Sequence, residues 1–469
     1  MGDSESEEIW DYIVVGGGLT GLGMAALLSF EGSRVLLIEK DKVIGGRSRT
    51  TKKNGFILDE KPFHLMKFGW KNPLNDVLRA MKDENYQRLL IHPVRHYHLY
   101  VGTEETKKLK PNTYEQSKLK YFKQGWISIP RNINQMRKSD YFGVWKLIRI
   151  FTSGFKCTYE DMRDKSLQEF NESKKMNEAS AHYLKLAAGV LMHSPYADLV
   201  SAGEVLRSIK WSSKQPVLFG YPDGGWQPII DRFVEIIKRN GKILTNCETN
   251  QLFFEENKEK RLETKKINTS KGDFSAHNFI LSLPPKRVPR LFQVDGENIL
   301  DPEIRAFIEK LIPTSGISMD IALSHRPYKG RSLLHFENPD AFGIFISNVE
   351  SSIAPRGKLL MTVFAPIHPE KIKDKTFIQN LISDLREKIF KMYPKLKEDV
   401  EFERIRVHEI VDNTFVNTYQ YKDIRPKTRI PGIDNCFLIG DYVAAYGWGE
   451  DIGYSSIWEL YRVLKERKK

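Results

Sequence analysis

Residues 11–28, with the sequence DYIVVGGGLTGLGMAALL, decide the fold of this chain of 469 residues. The apolar run at residues 13–15 is typical of a buried parallel strand, and the residues after the glycines are typical of a buried helix. Between them, Gly16, Gly18 and Gly21 match the pattern G-x-G-x-x-G. These glycines allow a tight turn, close approach of the backbone to a pyrophosphate, and close packing of the helix on the strand.

An acidic residue follows at the distance that this motif requires. Glu39 ends a second apolar run, where a carboxylate accepts hydrogen bonds from ribose hydroxyls and favours a 2′-hydroxyl over a 2′-phosphate. Strand, glycine turn, helix and acid together predict a Rossmann-like dinucleotide site, rather than a glycine-rich turn in some other α/β protein. Leu19 and Thr20, which open the helix, and Lys40, beside the acid, are predicted to border the same cofactor.

The stretch EKDKVIGGRS, residues 39–48, identifies the cofactor more closely. It resembles the E-(x)n-GGR-S/T extension of the superfamily of FAD-dependent amine oxidases, protoporphyrinogen oxidase and phytoene desaturase. The resemblance implies FAD as the cofactor. It also implies that Gly45 and Gly46 bring backbone against the pyrophosphate and flavin, and that Arg47 and Ser48 help to hold them. The guanidinium of Arg47 suits this role, since it pairs with phosphate or a reduced flavin.

The resemblance continues along nearly the whole chain and is closest to phytoene-desaturase-like members. Residues 55–64, GFILDEKPFH, stand where relatives carry a D-x-G-P/x-H stretch beside the flavin, but Lys61 replaces the usual glycine. Lys61 either crowds or tunes the flavin or points to solvent, and the sequence leaves both open. The resemblance also places the backbone near Thr249 against the adenine. Residues 221–226 and 348–357 resemble family turns.

The loop at residues 439–461, IGDYVAAYGWGEDIGYSSIWELY, is predicted to complete the cofactor site. In the family the acid at the position of Asp441, after Gly440, contacts the ribitol or pyrophosphate region. Gly449 and Ile452 are expected beside the flavin where the last helix begins. The N-terminus of that helix can stabilise negative charge on the reduced flavin.

Four side chains are candidates for facing the isoalloxazine ring: Lys61, His64, Tyr446 and Trp448. The basis for all four is their closeness in sequence to flavin-contacting motifs. In the family a dedicated catalytic base is often absent, so none of the four is assigned that role. Asp451 would oppose negative charge on the flavin if it pointed inward, so we expect it to cap the last helix instead.

These signals predict an α/β protein with two interleaved domains. A discontinuous, Rossmann-like FAD-binding domain would comprise residues 8–75, 211–287 and 411–469. An α+β substrate-binding domain would comprise residues 76–210 and 288–410.

Composition narrows the partners. A hydrophobic content of 41% with 28% charged residues fits a folded soluble protein. The net charge of +13 allows anionic partners, but interspersed acidic residues favour a solvated lysine-rich surface and no nucleic acid partner. Three cysteines without a CxxC pair, and His96 and His98 without partners at useful spacing, predict neither a disulfide framework nor a metal site.

The sequence predicts a cytoplasmic protein. Its acidic N-terminus lacks the apolar region of a secretory signal, and no apolar run is long enough to span a bilayer. The apolar segment at residues 141–155 is either a buried helix or an interfacial one, so a peripheral membrane contact stays open.

Three functions agree with the resemblance. The first is an FAD-dependent desaturase, isomerase or oxidase that acts on a small lipophilic substrate, such as an isoprenoid, carotenoid or tetrapyrrole, by hydride transfer to flavin N5. The second is an amine oxidase. The third is a non-enzymatic prenyl-binding chaperone like the Rab GDP-dissociation inhibitors, which lose the GGR and Gly-Asp signals that this chain keeps. The sequence does not indicate an oligomeric state.

Overall fold

The computed structural model describes residues 8–82, 89–94, 96–100, 118–119, 159–176, 178–212, 214–215, 217–336, 339–413 and 417–467. The apolar segment at residues 141–155 lies outside the described residues. No helix within the described ranges is both long and apolar enough to cross a membrane.

The described strands are, in chain order, β1 Ile9–Val15, β2 Val35–Ile38, β3 Thr50–Lys53, β4 Phe56–Asp59, β5 Met66–Lys67, β6 Ile91–Pro93, β7 His96–Tyr100, β8 Lys118–Leu119, β9 Phe219–Pro222, β10 Gly241–Leu244, β11 Thr249–Glu256, β12 Leu262–Thr269, β13 Gly272–Leu281, β14 Gln293–Val294, β15 Glu297–Asn298, β16 Ser315–Leu323, β17 Ser332–Phe336, β18 Ala341–Ile344, β19 Leu359–Ile367, β20 Val400–His408 and β21 Cys436–Leu438. The described α-helices are α1 Leu19–Phe30, α2 Pro73–Ala80, α3 Tyr159–Met162, α4 Leu167–Ser173, α5 Glu178–Met192, α6 Ala202–Ser212, α7 Gln227–Asn240, α8 Pro302–Glu309, α9 Ile346–Val349, α10 Lys375–Met392, α11 Pro394–Asp399 and α12 Glu450–Arg467. Short 3-10 helices occupy Gly46–Ser48, Gly69–Lys71, Pro285–Leu291, Ser351–Ile353 and Lys422–Ile424.

The first sheet carries the glycine turn. Its order is β10-β2-β1-β13-β12-β11, and β21 pairs in parallel with the end of β13. The strands β10, β2, β1 and β13 are parallel, so both faces must be covered. Accordingly, Val14 lies in the core cluster that includes α1, α7 and α12, whereas Ile13 and Val15 lie in the cluster on the opposite face.

The second sheet has the order β20-β16-β19-β18-β17-β7-β8 and is antiparallel except between β17 and β7. Every residue of β16 is buried. Helix α10 covers one face with Leu381, Leu385 and Ile389, whose spacing places them on one side of the helix. A third, small sheet, β5-β9-β6, leads through β9 toward α7.

The described sheets confirm the predicted α/β class. The strands of the first sheet come from residues 9–15, 35–38, 241–281 and 436–438, so distant pieces of the chain build it. The domain boundaries proposed from the sequence stay a prediction.

Replacing Leu385 with Ala should lower the free energy of unfolding by about 2–5 kcal/mol, because Leu385 is fully buried and its loss leaves a cavity. Urea denaturation measures the change. The control is Ser383→Ala on the exposed side of the same helix, which should stay within about 0.5 kcal/mol of the parent. Equal effects of the two substitutions would contradict the packing of α10 on this sheet.

Candidate cofactor and active site

The glycine turn after β1 forms an open cradle at the N-terminus of α1. A Cβ atom added at Gly16 would lie 2.3 Å from the Ser282 carbonyl oxygen, and one at Gly21 would lie 2.0 Å from the Gly16 oxygen. A Cβ at Gly18 would meet nothing within 4 Å, and Gly18 is the N-cap of α1 without a side-chain cap. Gly16 and Gly21 therefore serve close packing, whereas Gly18 exposes backbone that can approach a phosphate.

Glu39 is fixed beside this turn. Its Oε2 accepts from the Gly17 N–H at 2.6 Å, and its Oε1 accepts from the Asp41 N–H at 2.9 Å. Each carboxylate oxygen keeps a second lone pair, so the group can still accept from ribose hydroxyls. Lys40 next to it lies on the surface, with its Nζ 3.9 Å from Asp41 Oδ1.

The GGR segment is joined to the glycine turn by backbone. The Gly45 N–H donates to the Gly17 oxygen at 2.7 Å, and both Gly45 and Gly46 have positive φ, at 102° and 55°. A Cβ at Gly46 would lie 3.0 Å from the Gly18 Cα atom. Ser48 is buried within the short 3-10 helix that follows.

Arg47 links this segment to the last loop. Its Nη2 donates to Asp441 Oδ2 at 2.9 Å, and its Nη1 donates to the Val411 carbonyl oxygen. Asp441 also accepts from the backbone N–H and the side-chain Nδ2 of Asn413, at 3.0 and 2.8 Å. The structure thus brings together two predicted cofactor residues, and it adds Asn413, which the sequence motifs did not indicate.

Four further predicted cofactor residues lie outside the polar contacts described above. Leu19 and Ile452 are buried in core clusters on opposite faces of the first sheet. Thr20 faces α12, because a Cβ at Gly453 would lie 2.5 Å from the Thr20 Oγ1 atom. Thr249 is the first residue of β11.

Lys61 is the centre of a buried ion-pair network. We call it the ring-end network, because the sequence motifs predict Lys61 and His64 beside the flavin ring. The Lys61 side chain is 4% exposed, and its Nζ donates to Asp412 Oδ1 and Glu450 Oε2, both at 2.8 Å. His64 Nε2 lies 2.9 Å from the same Glu450 oxygen, and His193 Nδ1 lies 3.0 Å from Asp412 Oδ2. Of the two positions that the sequence left open for Lys61, the structure shows the inward one.

Mutual pairing sets the charges in the ring-end network. Burial is the largest single influence and would raise the pKa values of Asp412 and Glu450, but Lys61, the histidine contacts and Lys67 together outweigh it and hold both pKa values well below the usual range. Burial would lower the pKa of Lys61, but the two carboxylates outweigh it and raise that pKa. Burial lowers the pKa values of His64 and His193. At neutral pH the network therefore holds one cation, two carboxylates and two neutral imidazoles.

The expectation that Asp451 caps the last helix is wrong. Helix α12 begins at Glu450, so Asp451 lies inside its first turn and points inward, 1% exposed. Its Oδ1 accepts from Asn72 Nδ2 at 2.8 Å, and its Oδ2 lies 3.6 Å from Lys67 Nζ. Burial raises the pKa of Asp451 to about 6, against the opposing charge of Lys67.

Tyr446 and Trp448 form a second cluster, beside α6. The rings of Tyr446 and Trp448 are 5.8 Å apart and meet edge-on, at 68°. Trp448 is fully buried and its Nε1 donates to Glu204 Oε2 at 3.0 Å, while the Arg207 guanidinium lies 4.7 Å from the Trp448 ring centre. The four catalytic candidates thus fall into two pairs, with Lys61 and His64 sharing Glu450.

The residues present fit the nucleotide part of a dinucleotide cofactor. The open Gly18 turn, the uncapped helix N-terminus and the Glu39 carboxylate supply the three elements that such a cofactor needs. At the ring end, Gly449 has a φ of 60°, and a Cβ there would lie 2.8 Å from Asp412 Oδ2. The loop therefore passes close to the ring-end network.

Comparison with known proteins agrees with this geometry. Residues 14–81 match the family model of the NAD(P)-binding Rossmann-like domain. The chain is 39% identical over 75 residues to 4,4'-diapophytoene desaturase of Staphylococcus haemolyticus, and 36% identical over 81 residues to prolycopene isomerase 2 of an Oncidium hybrid cultivar. These matches cover 16% and 17% of this chain, and only 14% of each relative.

Solved structures match the chain over nearly its whole length. An oxidoreductase from Methanosarcina mazei matches with a TM-score of 0.73 and 19% identity, over 96% of this chain and 99% of that one. Putrescine oxidase bound to putrescine matches with a TM-score of 0.71 and 13% identity, over 98% and 99%. RAB GDI from Plasmodium falciparum matches with a TM-score of 0.55 and 15% identity, over 98% of each chain.

These findings confirm the Rossmann-like dinucleotide-binding domain and, over the matched segment, the predicted resemblance to phytoene-desaturase-like proteins. At these identities the solved structures show a shared fold. Because that fold includes RAB GDI as well as oxidoreductases, it does not by itself distinguish the alternative functions.

Replacing Lys61 with Met should lower the free energy of unfolding at pH 7 by about 3–5 kcal/mol, because Asp412 and Glu450 would be left as buried carboxylates that keep their histidine contacts but lose the cation between them. The loss should shrink as the pH falls toward 5. The freed carboxylates then have raised pKa values and take up protons in the folded state, which stabilises the variant, whereas the parent gains nothing there.

Urea denaturation between pH 5 and pH 8 measures this difference. Lys40→Met is the control, because Lys40 is on the surface and has only a distant partner. A pH-independent loss in Lys61→Met would show that Lys61 acts through packing and not through charge.

Proposed function

We propose that this chain is an FAD-dependent oxidoreductase that acts on a small lipophilic molecule as a desaturase, isomerase or oxidase. The observation that carries the proposal is the meeting of three predicted cofactor segments: the open turn at Gly18, the GGR segment, and the loop before α12. The Gly45 N–H joins the first two, and the pair of Arg47 with Asp441 joins the last two.

Individual residues would hold FAD along its length. The Gly18 turn and the N-terminus of α1 would hold the pyrophosphate, and Glu39 would accept from the ribose hydroxyls. Arg47 is 39% exposed and keeps unused donors, so it can also reach a phosphate or the ring. Bound FAD supplies a hydride acceptor at flavin N5.

The residues at the ring end would hold a positive charge in one position and accept protons. Lys61 is held between two carboxylates, so its ammonium has one position. His64 stacks on Trp226 with ring centres 3.7 Å apart, and the buried His64 Nδ1 has no hydrogen-bond partner within the described part of the chain. Because the neutral imidazole carries its one proton on Nε2, toward the Glu450 carboxylate, Nδ1 can accept a proton from a group placed beside it.

A small cavity of about 20 Å³ is lined by His64, Asp59 and Tyr221 together with apolar side chains. It has room for about one water molecule. Burial raises the pKa of Asp59 to about 8, and Tyr221 donates to Asp59 Oδ2 at 2.8 Å. A neutral Asp59 carboxyl beside His64 can store a proton at this edge of the site.

The substrate class rests on the matched segment and the surface charge. The matched segment is shared with relatives named 4,4'-diapophytoene desaturase and prolycopene isomerase, which supports an isoprenoid or carotenoid substrate, with a tetrapyrrole as a further candidate. A net charge of +13 also permits peripheral contact with an anionic membrane, where a cytoplasmic protein would meet such a substrate.

The alternatives have less support. The putrescine oxidase match shows a shared fold alone, and the edge-on Tyr446 and Trp448 rings do not form a parallel pair around a substrate amine. A non-enzymatic chaperone is compatible with the shared fold, which includes RAB GDI. The retained GGR segment and the Arg47–Asp441 pair weigh against that alternative.

Purified protein should take up one equivalent of FAD and absorb at about 450 nm. Gly18→Val should stay folded but weaken FAD binding at least about tenfold, because its side chain would fill the space that the pyrophosphate needs. The matched control is Gly330→Val, which also has open space and an ordinary φ but lies outside the site. A colourless protein that takes up no FAD would rule out both enzyme functions.

Anaerobic mixing of the FAD-loaded protein with substrate extracts tests the substrate class. Carotenoid or other isoprenoid fractions should bleach the flavin band or, for an isomerase, change the isomer profile of the fraction. Putrescine and other amines should do neither. Bleaching by amines alone would replace the proposed function with the amine oxidase alternative.

A further inference from the structure

Three potential metal ligands meet outside the cofactor site. His92 belongs to β6, Asp223 follows β9, and Glu350 follows the short helix α9. His92 Nε2 lies 2.8 Å from Asp223 Oδ1 and 2.8 Å from Glu350 Oε2. All three ligand atoms lie within 4.8 Å of one another.

Hydrogen bonding alone does not satisfy this arrangement. One imidazole nitrogen carries one proton at most, so His92 Nε2 can direct a good hydrogen bond to only one of the two oxygens. The other carboxylate oxygen would then face a nitrogen and a second negative charge. A cation shared by the three atoms satisfies all of them at once.

The site is rigid on one side and open on the other. The Glu350 side chain is 5% exposed, and its Oε1 accepts from the Ser352 N–H at 2.8 Å, so Oε2 is held toward His92. Strand pairing of β6 with β9 and the bond from the Asp223 N–H to the Leu90 oxygen hold the other two ligands. Asp223 and His92 side chains are 56% and 36% exposed, which leaves an entry path for an ion and its waters.

We propose that His92, Asp223 and Glu350 bind a divalent transition metal ion, with Zn²⁺ and Mn²⁺ as the best chemical matches. One imidazole and two carboxylates suit these ions, whereas Mg²⁺ and Ca²⁺ prefer oxygen ligands alone. Two ligand atoms with bonds of about 2.1 Å to one ion are separated by about 3 Å at right angles and by about 3.4 Å in a tetrahedron, so the 2.8 Å between His92 Nε2 and each carboxylate oxygen would widen slightly when the ion binds.

The bound ion would join three segments that are distant in sequence. It would connect β6 and the turn after β9, which leads into α7, with the turn that follows α9 in the region of the second sheet. Three protein ligands leave further coordination positions for water. The site is separate from the cofactor residues, so this proposal does not depend on FAD binding.

Metal binding is tested on the full chain after treatment with a chelator. ZnCl₂ and MnCl₂ are titrated by calorimetry, and metal retained after gel filtration is measured by mass spectrometry. One equivalent of Zn²⁺ should be retained, with a higher melting temperature and with no displacement by millimolar Mg²⁺. Binding should weaken at lower pH, because protons compete for the ligands.

His92→Ala and Asp223→Asn should each weaken Zn²⁺ binding at least about tenfold, since each removes one of three ligands. Both side chains are partly exposed, so these variants should fold even if Glu350→Gln does not. The control is His325→Ala, which removes an exposed histidine outside the site, whose Nδ1 lies 2.9 Å from Asp399 Oδ1 and 3.0 Å from Ser324 Oγ. Less than about half an equivalent of Zn²⁺, or equal binding in the parent and His92→Ala, would overturn the site. Loss of FAD binding with intact Zn²⁺ binding would reject the proposed function alone.

Discussion

The structure of the site depends on a buried charge that must be paired. Lys61 is buried against Asp412 and Glu450, and an unpaired charge at that depth would cost several kcal/mol. The three residues belong to the segment after β4, the segment after β20, and the start of α12. Their pairing therefore links three chain segments that lie far apart in sequence. His64 and His193 extend the same network to further segments.

A second polar link, between Arg47 and Asp441, performs a similar task nearer to the nucleotide turn. Asp441 accepts from Arg47 and from Asn413, so its carboxylate joins the GGR segment, the chain before β21 and the last loop. Both links lie near the end of the first sheet where β1 ends and the glycine turn leads into α1. The fold shared with oxidoreductases and with RAB GDI supports this scaffold, but the function must come from the side chains placed on it.

Local motifs predicted much of the nucleotide part. The glycine pattern with Glu39 predicted the turn, the helix and the parallel strands, because each of these depends on residues close together in sequence. Motif spacing did not predict Asp412, Asn413, Glu450 or His193, because their partners lie far away in the chain. The expectation for Asp451 was wrong for the same reason: Asn72 and Lys67 meet it from another element.

The sequence by itself determined the Rossmann-like unit, since φ preferences of glycine, apolar periodicity and helix N-terminal chemistry act over a few residues. Only the tertiary structure decided the position of Lys61, the pairing of Tyr446 with Trp448, and the meeting of His92, Asp223 and Glu350. These contacts form between segments brought together by sheet pairing and core burial. Their distances and protonation states depend on desolvation and on neighbouring charges, which no local pattern of residues contains.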